Sequence, residues 1–189
     1  MIENLIAKNR SYRRFYEEEK ISPETLRKLV NLARLSASAG NIQPLKYILS
    51  CDPGRNKQIF LCTMWAGFLK DWDGPEEGER PPGYIIILGD KNIKQSFGVD
   101  HGIAAQSILL GAVERGLGGC MIGSIHREKL REALEIPEHL EILLVVALGK
   151  PKEKVVIETV GADGDIKYYR DAEGVHHVPK RSLDELIVE

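Results

Sequence analysis

The chain has 189 residues, of which 43% are hydrophobic and 29% are charged, enough apolar material for one core. Its 26 Lys and Arg residues against 28 Asp and Glu residues give a formal charge of −2, so no general positive field favours nucleic acid or an anionic membrane. No apolar run reaches the roughly 20 residues that span a bilayer, and the N-terminus lacks a basic region followed by a long hydrophobic stretch. We therefore expect a cytoplasmic, single-domain protein.

Cysteine and histidine patterns argue against a disulfide framework and a metal site. The three cysteines, Cys51, Cys62 and Cys120, are widely spaced in apolar surroundings, which predicts buried, reduced thiols. The five histidines have neither H-E-x-x-H nor facial-triad spacing, so we predict no metal site.

The N-terminal half predicts three helices and one strand. The first helix should end at Asn9, and Ser22 as N-cap with Pro23 predicts a second helix to residue 35 or 36, with its buried side at Leu26, Leu29, Val30 and Ala33. A strand at 45–50 should stop at a turn formed by Asp52, Pro53 and Gly54. The spacing of Ile59, Cys62, Ala66 and Leu69 indicates a third helix.

Beyond residue 70, composition separates a loop from the second half of the core. Segment 71–83, rich in Asp, Glu, Gly and Pro, predicts a mobile surface loop that buries little. Residues 84–88 predict a central strand covered on both faces, and 142–148 a second buried strand. Between them, helix 99–115 is apolar nearly all round, which indicates a core or interface helix.

The remaining elements are short. A glycine-rich stretch at 117–123 is followed by a predicted helix at 128–134. Strands at 157–160 and 166–169 around Ala162-Asp163-Gly164 suggest a hairpin. We interpret residues 152–189 as an extension of the single domain 1–189.

A basic cluster at Arg10, Arg13 and Arg14, with Ser11, suits a phosphate group because planar guanidiniums and a hydroxyl match its oxygens. The equally weighted alternative is a solvated basic turn paired with Glu17, Glu18 and Glu19. A second basic pair, Lys180 and Arg181, would add to an anion site if the C-terminal segment folds back.

Two small-residue segments suit a planar ligand. In segment 36–44, small residues allow close approach while Ser, Asn and Gln groups address ring edges; an ordinary helix-to-strand loop is the alternative. In 116–123, four glycines bring bare main chain close to a neighbour, which is either a ligand or a packed helix exit. Met121 breaks the dinucleotide fingerprint and Ser124 replaces the P-loop lysine, so neither nucleotide motif is present.

The aromatic residues Trp65, Phe68 and Trp72 fit core packing and a lid over a planar substrate equally well.

Ordered segments across nearly the whole chain resemble the nitroreductase family of FMN-dependent oxidoreductases. They are Arg10-Ser11-Tyr12-Arg13 with Phe15, the stretch from Ser38 to Pro44, Gly102 to Gln106, Gly116-Leu117-Gly118 with Ile122-Gly123, and Leu148-Gly149-Lys150-Pro151. The resemblance implies an α+β three-layer sandwich, with a mixed, mainly antiparallel sheet flanked by helices, and an intertwined homodimer with FMN at the subunit interface. The chain departs from the family pattern at Asn9 (often Arg), Ala37 (usually Pro) and Leu45 (commonly Trp).

Carried over by position, the resemblance implies a set of FMN-binding residues. Arg10, Ser11 and Arg13 would hold the phosphate and the polar ring edge, Ser38 and Asn41 would reach FMN from the partner subunit, and the main chain at 121–123 would lie beside flavin N5. The full set is Arg10, Ser11, Tyr12, Arg13, Ala37, Ser38, Asn41, Gln43, Met121, Ile122, Gly123, Lys180 and Arg181.

The implied activity is hydride transfer from NADH or NADPH through flavin N5 to a nitroaromatic or quinone, by a ping-pong mechanism. The flavin is then the reacting group and no side chain is predicted as catalytic, because stacking and proximity supply most of the protein's contribution. Two alternatives stay open: a flavin-binding sensor or carrier without physiological turnover, and a flavin enzyme of another reaction such as dehalogenation.

Overall fold

The computed structural model describes residues 1–188. In chain order the helices are α1 (Ile2–Lys8), α2 (Pro23–Leu35), α3 (Pro53–Phe60), α4 (Asp100–Glu114) and α5 (Arg127–Leu134), with a 3₁₀ turn at Ala39–Asn41. The strands are β1 (Leu45–Ser50), β2 (Gly83–Asp90), β3 (Gly118–Ile122), β4 (Leu140–Gly149), β5 (Val155–Thr159), β6 (Tyr169–Arg170) and β7 (His176–Lys180). Among these residues, no helix combines the length and apolarity needed to cross a membrane.

The main sheet has strand order β1-β2-β4-β3 and is antiparallel throughout. Alternate residues of β2 point to opposite faces, as the two-residue period of a strand requires. Ile85 and Ile87 pack with α2 and α4, whereas Ile86 and Leu88 pack with α3 and α5. The predicted α+β three-layer sandwich and the central, doubly covered position of β2 are confirmed.

Helix α2 follows its sequence signals. Ser22 caps it by accepting a 3.1 Å hydrogen bond from the Thr25 N–H, and Pro23 occupies the first turn. Leu26 and Leu29 are fully buried as predicted, while Val30 is only partly buried.

Helix α4 is a core helix with one uncovered side. Ala105, Ile108 and Ala112 are fully buried, and a Cβ on Gly111 would lie 2.1 Å from Leu32, so α2 packs closely there. Ile103 nevertheless remains 36% exposed. Burial on every side is therefore not achieved within one chain.

The third helix differs from its prediction at both ends. Asp52 caps α3 by accepting from the Arg55 N–H at 2.8 Å, so residues 52–54 begin a helix instead of forming a separate turn. The helix ends at Phe60 because the chain then turns to pair Thr63 with Ile125. Cys62 and Ala66 are buried as loop residues, so their helical spacing was misleading.

All three cysteines are free thiols, and Cys51 is only partly buried.

The prediction that segment 71–83 buries little is wrong for its second half. Pro81, Pro82 and Gly83 are buried, and Gly83 already begins β2. Glu79 forms salt bridges with Arg14 and Lys152. These salt bridges attach the segment to the chain on either side of the main sheet's strands, at Arg14 and Lys152.

The C-terminal segment forms a second sheet of order β5-β7-β6, and the predicted hairpin is wrong. β5 pairs in parallel with β7, which also pairs antiparallel with β6. The local turn does form, since Gly164 donates to the Gly161 carbonyl and has φ of 72°. The flanking residues pair with β7 instead of with each other. The description of 152–189 as an extension of one domain stays a prediction.

Candidate functional site

A cleft of about 360 Å³ lies beside the outer edge of β3. The glycine-rich stretch is thus an edge strand and not a helix exit. Between the contact of Tyr12 with Gly119 and that of Met64 with Ser124, no strand of residues 1–188 pairs with this edge. The cleft is lined by this edge and by Arg13, Trp65, Gly67 and Tyr168.

Glycines allow residues 10–14, the arginine segment, to lie against β3. The Tyr12 N–H donates to the Gly119 carbonyl at 3.0 Å, and Ser11 pairs with Gly119. A Cβ on Gly118 would lie 2.4 Å from the Tyr12 ring, and one on Gly119 would lie 2.4 Å from the Ala147 carbonyl oxygen. Packing within the protein therefore requires glycine at positions 118 and 119. At Gly123, by contrast, a Cβ would meet nothing within 4 Å.

Arg13 is the arginine that reaches the cleft. Its guanidinium donates to the Ser11 carbonyl and contacts His176 Nε2, each at 3.2 Å, and stacks 4.7 Å from the Tyr168 ring centre. No carboxylate of residues 1–188 lies within 4.0 Å of this guanidinium. The cleft therefore holds a positive charge that is available to an anionic or electron-rich group.

His176 supports Arg13 as a neutral acceptor. Burial, followed by the nearby charges of Arg13, Arg170 and His177, lowers the pKa of His176 to about 4. The neutral ring accepts at Nε2, which places its proton on Nδ1. That atom is buried and has no hydrogen-bond partner among residues 1–188.

Glu153 anchors the main chain of the arginine segment. Its carboxylate accepts from the N–H groups of Arg13 and Arg14, the latter at 3.2 Å, and from Arg170 at 2.9 Å. The carboxylate is almost completely buried, so charge-assisted hydrogen bonds compensate for its lost hydration. One acidic residue thus joins the N-terminal segment to the second sheet.

The other two arginines diverge from Arg13. Arg14 binds Glu79, with Nη2 2.6 Å from Oε1, and this hydrogen bond is the main reason that the pKa of Glu79 falls to about 2. Arg10 turns back to donate to the Ile6 carbonyl at 3.0 Å, while its Nε is buried without a partner in the described residues. No described salt bridge joins these arginines to Glu17, Glu18 or Glu19.

The polar segment 36–44 lies at a different cavity, of about 180 Å³, which shares no lining residue with the Arg13 cleft. Ser38 Oγ donates to Asp100 at 2.6 Å and accepts from the Gln43 N–H at 3.0 Å. Hydrogen bonds from Ser38 and Ala39 outweigh burial and hold the pKa of Asp100 below its usual value. Ala37, Asn41 and Gln43 are exposed. Gln43 Nε2 donates to the Asn41 carbonyl at 3.1 Å, whereas the Asn41 side-chain amide has no hydrogen bond among residues 1–188.

The second basic pair also lies apart from Arg13 within one chain. Lys180 is exposed at the end of β7, about 13 Å along the strand from His176 at 3.3 Å per residue. Arg181 lies 3.8 Å from Glu185. Their contribution to an anion site stays a prediction.

Comparisons with known proteins identify the family. A sequence model of the Nitroreductase family matches residues 6–60 and 68–150. The chain belongs to the nitroreductase family. It is 30% identical over 149 residues to a protein of Archaeoglobus fulgidus named putative NADH dehydrogenase/NAD(P)H nitroreductase, covering 75% of this chain and 80% of that protein. The chain is accordingly an oxidoreductase.

Three further proteins extend the comparison. An FMN reductase (NADPH) of Bacillus subtilis is 26% identical over 77% of this chain and 64% of that protein. The structure of an FMN-dependent nitroreductase of Clostridium difficile superimposes with a TM-score of 0.68 at 25% identity, covering 82% of this chain and 89% of that one. A nitroreductase family structure from Streptococcus pneumoniae matches both chains over 100% with a TM-score of 0.74 at 17% identity, which supports the fold.

The Arg13 cleft fits the FMN that is typical of nitroreductases. A flavin ring needs a flat space beside main chain and a cation at its polar edge, and the cleft offers the open side of Gly123, the unpaired edge of β3 and Arg13. The orphaned Nε of Arg10, next to the exposed Ser11, offers donors suited to a phosphate.

The aromatic residues separate into three environments. Trp65 is 8% exposed, packs on Phe60 and also lines the cleft. Phe68 is 48% exposed and contacts the Tyr168 ring at 5.0 Å, while Trp72 lies under Arg170 at 4.2 Å. Core packing accounts for Trp65, and the lid role of the three residues stays a prediction.

Sequence reasoning missed Glu153, Tyr168 and His176. All three lie in the second sheet or the segment leading to it, 139 to 163 residues from Arg13 or Arg14. The pair His176-His177 and a Glu within the charged run Lys152-Glu153-Lys154 carry no local signal. Only the tertiary fold brings them to the arginine segment.

Proposed function

We propose that this chain is an FMN-dependent oxidoreductase that uses NADH or NADPH to reduce an electron-poor acceptor, a nitroaromatic or a quinone, by a ping-pong mechanism. The observation that carries this proposal is the unneutralised guanidinium of Arg13 beside the open edge of β3. When bound, FMN supplies the redox chemistry, taking a hydride from the nicotinamide and passing it to the acceptor. The names of the relatives, among them an FMN reductase and a Cr(VI) reductase, support this class of reaction.

Arg13 would stabilise negative charge on the polar edge of the ring. It is held for this task by the Ser11 carbonyl, Tyr168 and neutral His176, none of which cancels its charge. A cation fixed in a partly dehydrated cleft acts more strongly than one in bulk water. Arg10 and Ser11 would hold the phosphate, and the main chain at 121–123 would lie along the ring.

The chain's other contribution is to keep the site flat and shielded from water. Trp65 and Tyr168 line the cleft, and Phe68 packs on the Tyr168 ring outside the lining. The protein would contribute mainly by orienting the reactants and by excluding water from the cleft. We assign no side chain as an acid or base, and the protons that the acceptor takes up besides the hydride would come from solvent.

We propose a homodimer in which the 38–43 loop reaches the cleft of the partner subunit. Within one chain the loop and the cleft are separate, and the exposed Asn41 and Gln43 amides have no ring to address. Ile103 on the uncovered side of α4 and Val99, which directly precedes the helix, supply an apolar surface for this contact. Lys180 and Arg181 would join the phosphate site in the same assembly. The cytoplasmic location stays a prediction.

The test is a visible absorption spectrum of the purified protein, mass identification of the compound released on heating, and steady-state oxidation of NADH and NADPH with menadione or nitrofurazone. The proposal expects a yellow protein that releases FMN and turns over at least one reductant. A colourless protein that takes up no added FMN would refute the cofactor. A yellow protein inert to both reductants would refute the enzyme and favour a flavin sensor or carrier.

A further inference from the structure

A second polar cavity, of about 200 Å³, lies between α3 and segment 77–82. It shares no lining residue with the Arg13 cleft or with the cavity at Ser38. The proposed flavin chemistry makes no use of it. Its volume corresponds to about seven water molecules at ~30 Å³ each, which is room for a small organic molecule.

Tyr84 places a buried, unused donor at this cavity. Its side chain is fully buried, and its hydroxyl has no hydrogen-bond partner among residues 1–188. Burial, and to a lesser extent Glu17, raises the pKa of Tyr84, so the phenol stays protonated and can donate. A buried hydroxyl without a partner is destabilising, which indicates that another group satisfies it.

Arg80 supplies a second donor to the same cavity. Its Nε is buried and unpartnered in the described residues, and its guanidinium stacks 4.6 Å from the Phe60 ring centre. No carboxylate of residues 1–188 forms a salt bridge with it. A guanidinium fixed on an aromatic face, with a free Nε–H, matches the geometry of a carboxylate oxygen.

The charge balance of the lining favours an anion. Lys20, Lys57 and Arg80 face Glu17 and Glu77. Glu17 is already occupied, because its Oε2 accepts from the N–H groups of Gly78 at 2.6 Å and of Arg80 at 3.2 Å. Three cations against two carboxylates leave one positive charge.

The apolar part of the lining favours an organic body behind that anion. Pro53, Phe60 and Pro82 line the cavity beside the charged groups. The walls are held together by Asn56, which donates to the Pro82 carbonyl at 2.8 Å and accepts from Ser50 Oγ at 2.7 Å. The donors are therefore fixed in advance, and a ligand need not order them.

We propose that this cavity binds a small organic monocarboxylate, with Tyr84 Oη and Arg80 Nε donating to its oxygens. The apolar body of the ligand lies against Pro53, Phe60 and Pro82. This site is independent of the flavin and of the proposed redox function.

Calorimetric titration of the purified protein with benzoate tests the site, and benzamide is the uncharged control of the same shape. We expect benzoate to bind with one site per chain and benzamide at least tenfold more weakly. Tyr84→Phe removes only the orphaned hydroxyl, and Arg80→Gln removes the cation. Each should weaken benzoate binding by about 10- to 100-fold, the range of a hydrogen bond to a charged group. Arg55 lies on α3, which forms one wall of the cavity, but it is not part of the lining. Arg55→Gln should therefore leave benzoate binding unchanged.

Thermal unfolding without benzoate checks that the variants fold, and Tyr84→Phe should melt no lower than the unsubstituted chain. The proposal is overturned if benzoate up to about 10 mM produces no binding, a range that would detect a Kd of about 1 mM. It is also overturned if benzamide binds equally well. Equal benzoate binding by the unsubstituted chain, Tyr84→Phe and Arg80→Gln would assign the benzoate to another place, such as the Arg13 cleft.

Discussion

Nη1 of Arg13 lies 3.2 Å from Nε2 of His176, so an arginine and a neutral imidazole share a hydrogen bond in the interior of the chain. The contact joins two segments 163 residues apart. A protonated His176 would repel Arg13, and the lowered pKa of His176 reflects that repulsion in addition to burial. The orientation of Arg13 therefore depends on His176 staying neutral.

We predict that His176 makes the folded chain sensitive to acid. The unfolded chain takes up a proton on this residue near pH 6.5, whereas the folded chain does so only near pH 4. Lowering the pH through this window should therefore reduce the free energy of unfolding by up to about 3 kcal/mol. His176→Gln keeps an acceptor for Arg13 but cannot titrate, so urea unfolding should show a smaller loss between these pH values.

The neighbouring His177 provides a control of opposite sign. Hydrogen bonds to Asp171 and then Glu158 raise its pKa, so its stabilisation is complete below the unfolded-state pKa and disappears as the pH rises through the raised value. His177→Gln should therefore destabilise the chain more at pH 6 than at pH 9. Parallel pH profiles for the two variants would contradict both assignments.

Arg13→Ala should release FMN or lower its reduction potential. Loss of a charge-assisted contact worth about 1.5–3 kcal/mol corresponds to about 30–60 mV for a two-electron couple. Flavin content by absorbance and the potential by dye equilibration measure the change. Arg27→Ala, at an exposed position of α2, is the matched control. Unchanged flavin content and potential in Arg13→Ala would remove Arg13 from the site.

Two glycines of the same segment should respond differently to substitution. Gly123→Leu extends into open space, so we expect stability within about 0.5 kcal/mol of the unsubstituted chain but loss of bound flavin. Gly119→Ala collides with the Ala147 carbonyl and should cost about 1–3 kcal/mol in urea unfolding. A Gly123→Leu protein that retains its full flavin content would exclude the cleft as the flavin site.

Asp100→Asn should loosen the 38–43 loop. The carboxylate is 3% exposed and accepts from both Ser38 Oγ and the Ala39 N–H, which a single amide oxygen cannot fully replace. We expect a loss of about 1–3 kcal/mol in unfolding free energy, together with weaker flavin retention. Glu114→Gln, exposed at the other end of α4, should change neither quantity appreciably. Flavin retention equal to that of the control would detach this loop from the cofactor site.

Ile103→Glu should convert the proposed dimer to a monomer. The residue lies on the uncovered side of α4 and is already 36% exposed, so a charge there costs an isolated chain little but opposes burial against a second copy. Light scattering after size exclusion measures the mass, and Ile166→Glu, 48% exposed in the second half of the chain, is the control. A stable monomer of the unsubstituted chain that holds flavin would refute the shared site.

Local signals in the sequence predicted most of the main sheet and its helices. Ser22 and Pro23 defined the start of α2, and the continuous apolar run at 84–88 identified the central strand, because capping and burial are determined by neighbouring residues. The family resemblance, which the comparisons confirm, rests on the same region.

Non-local contacts account for the errors. The turn at Gly164 suggested a hairpin, yet β7, which lies at residues 176–180, is the partner of β5. Likewise, Cys62 and Ala66 have helical spacing but are buried because residue 63 pairs with residue 125. Pairing between residues so far apart produces no periodic pattern in the local sequence. For the same reason, the sequence did not predict that Glu153 and His176 support Arg13.

The anchors of Arg13 lie beyond the region that the Nitroreductase family model matches. The matched region ends at residue 150, whereas Glu153, Tyr168 and His176 all follow it. A truncation at that boundary would keep every residue of the arginine segment but remove the groups that orient it. Substitutions in the C-terminal sheet would therefore change the orientation of Arg13 while every residue of segment 10–14 stays the same.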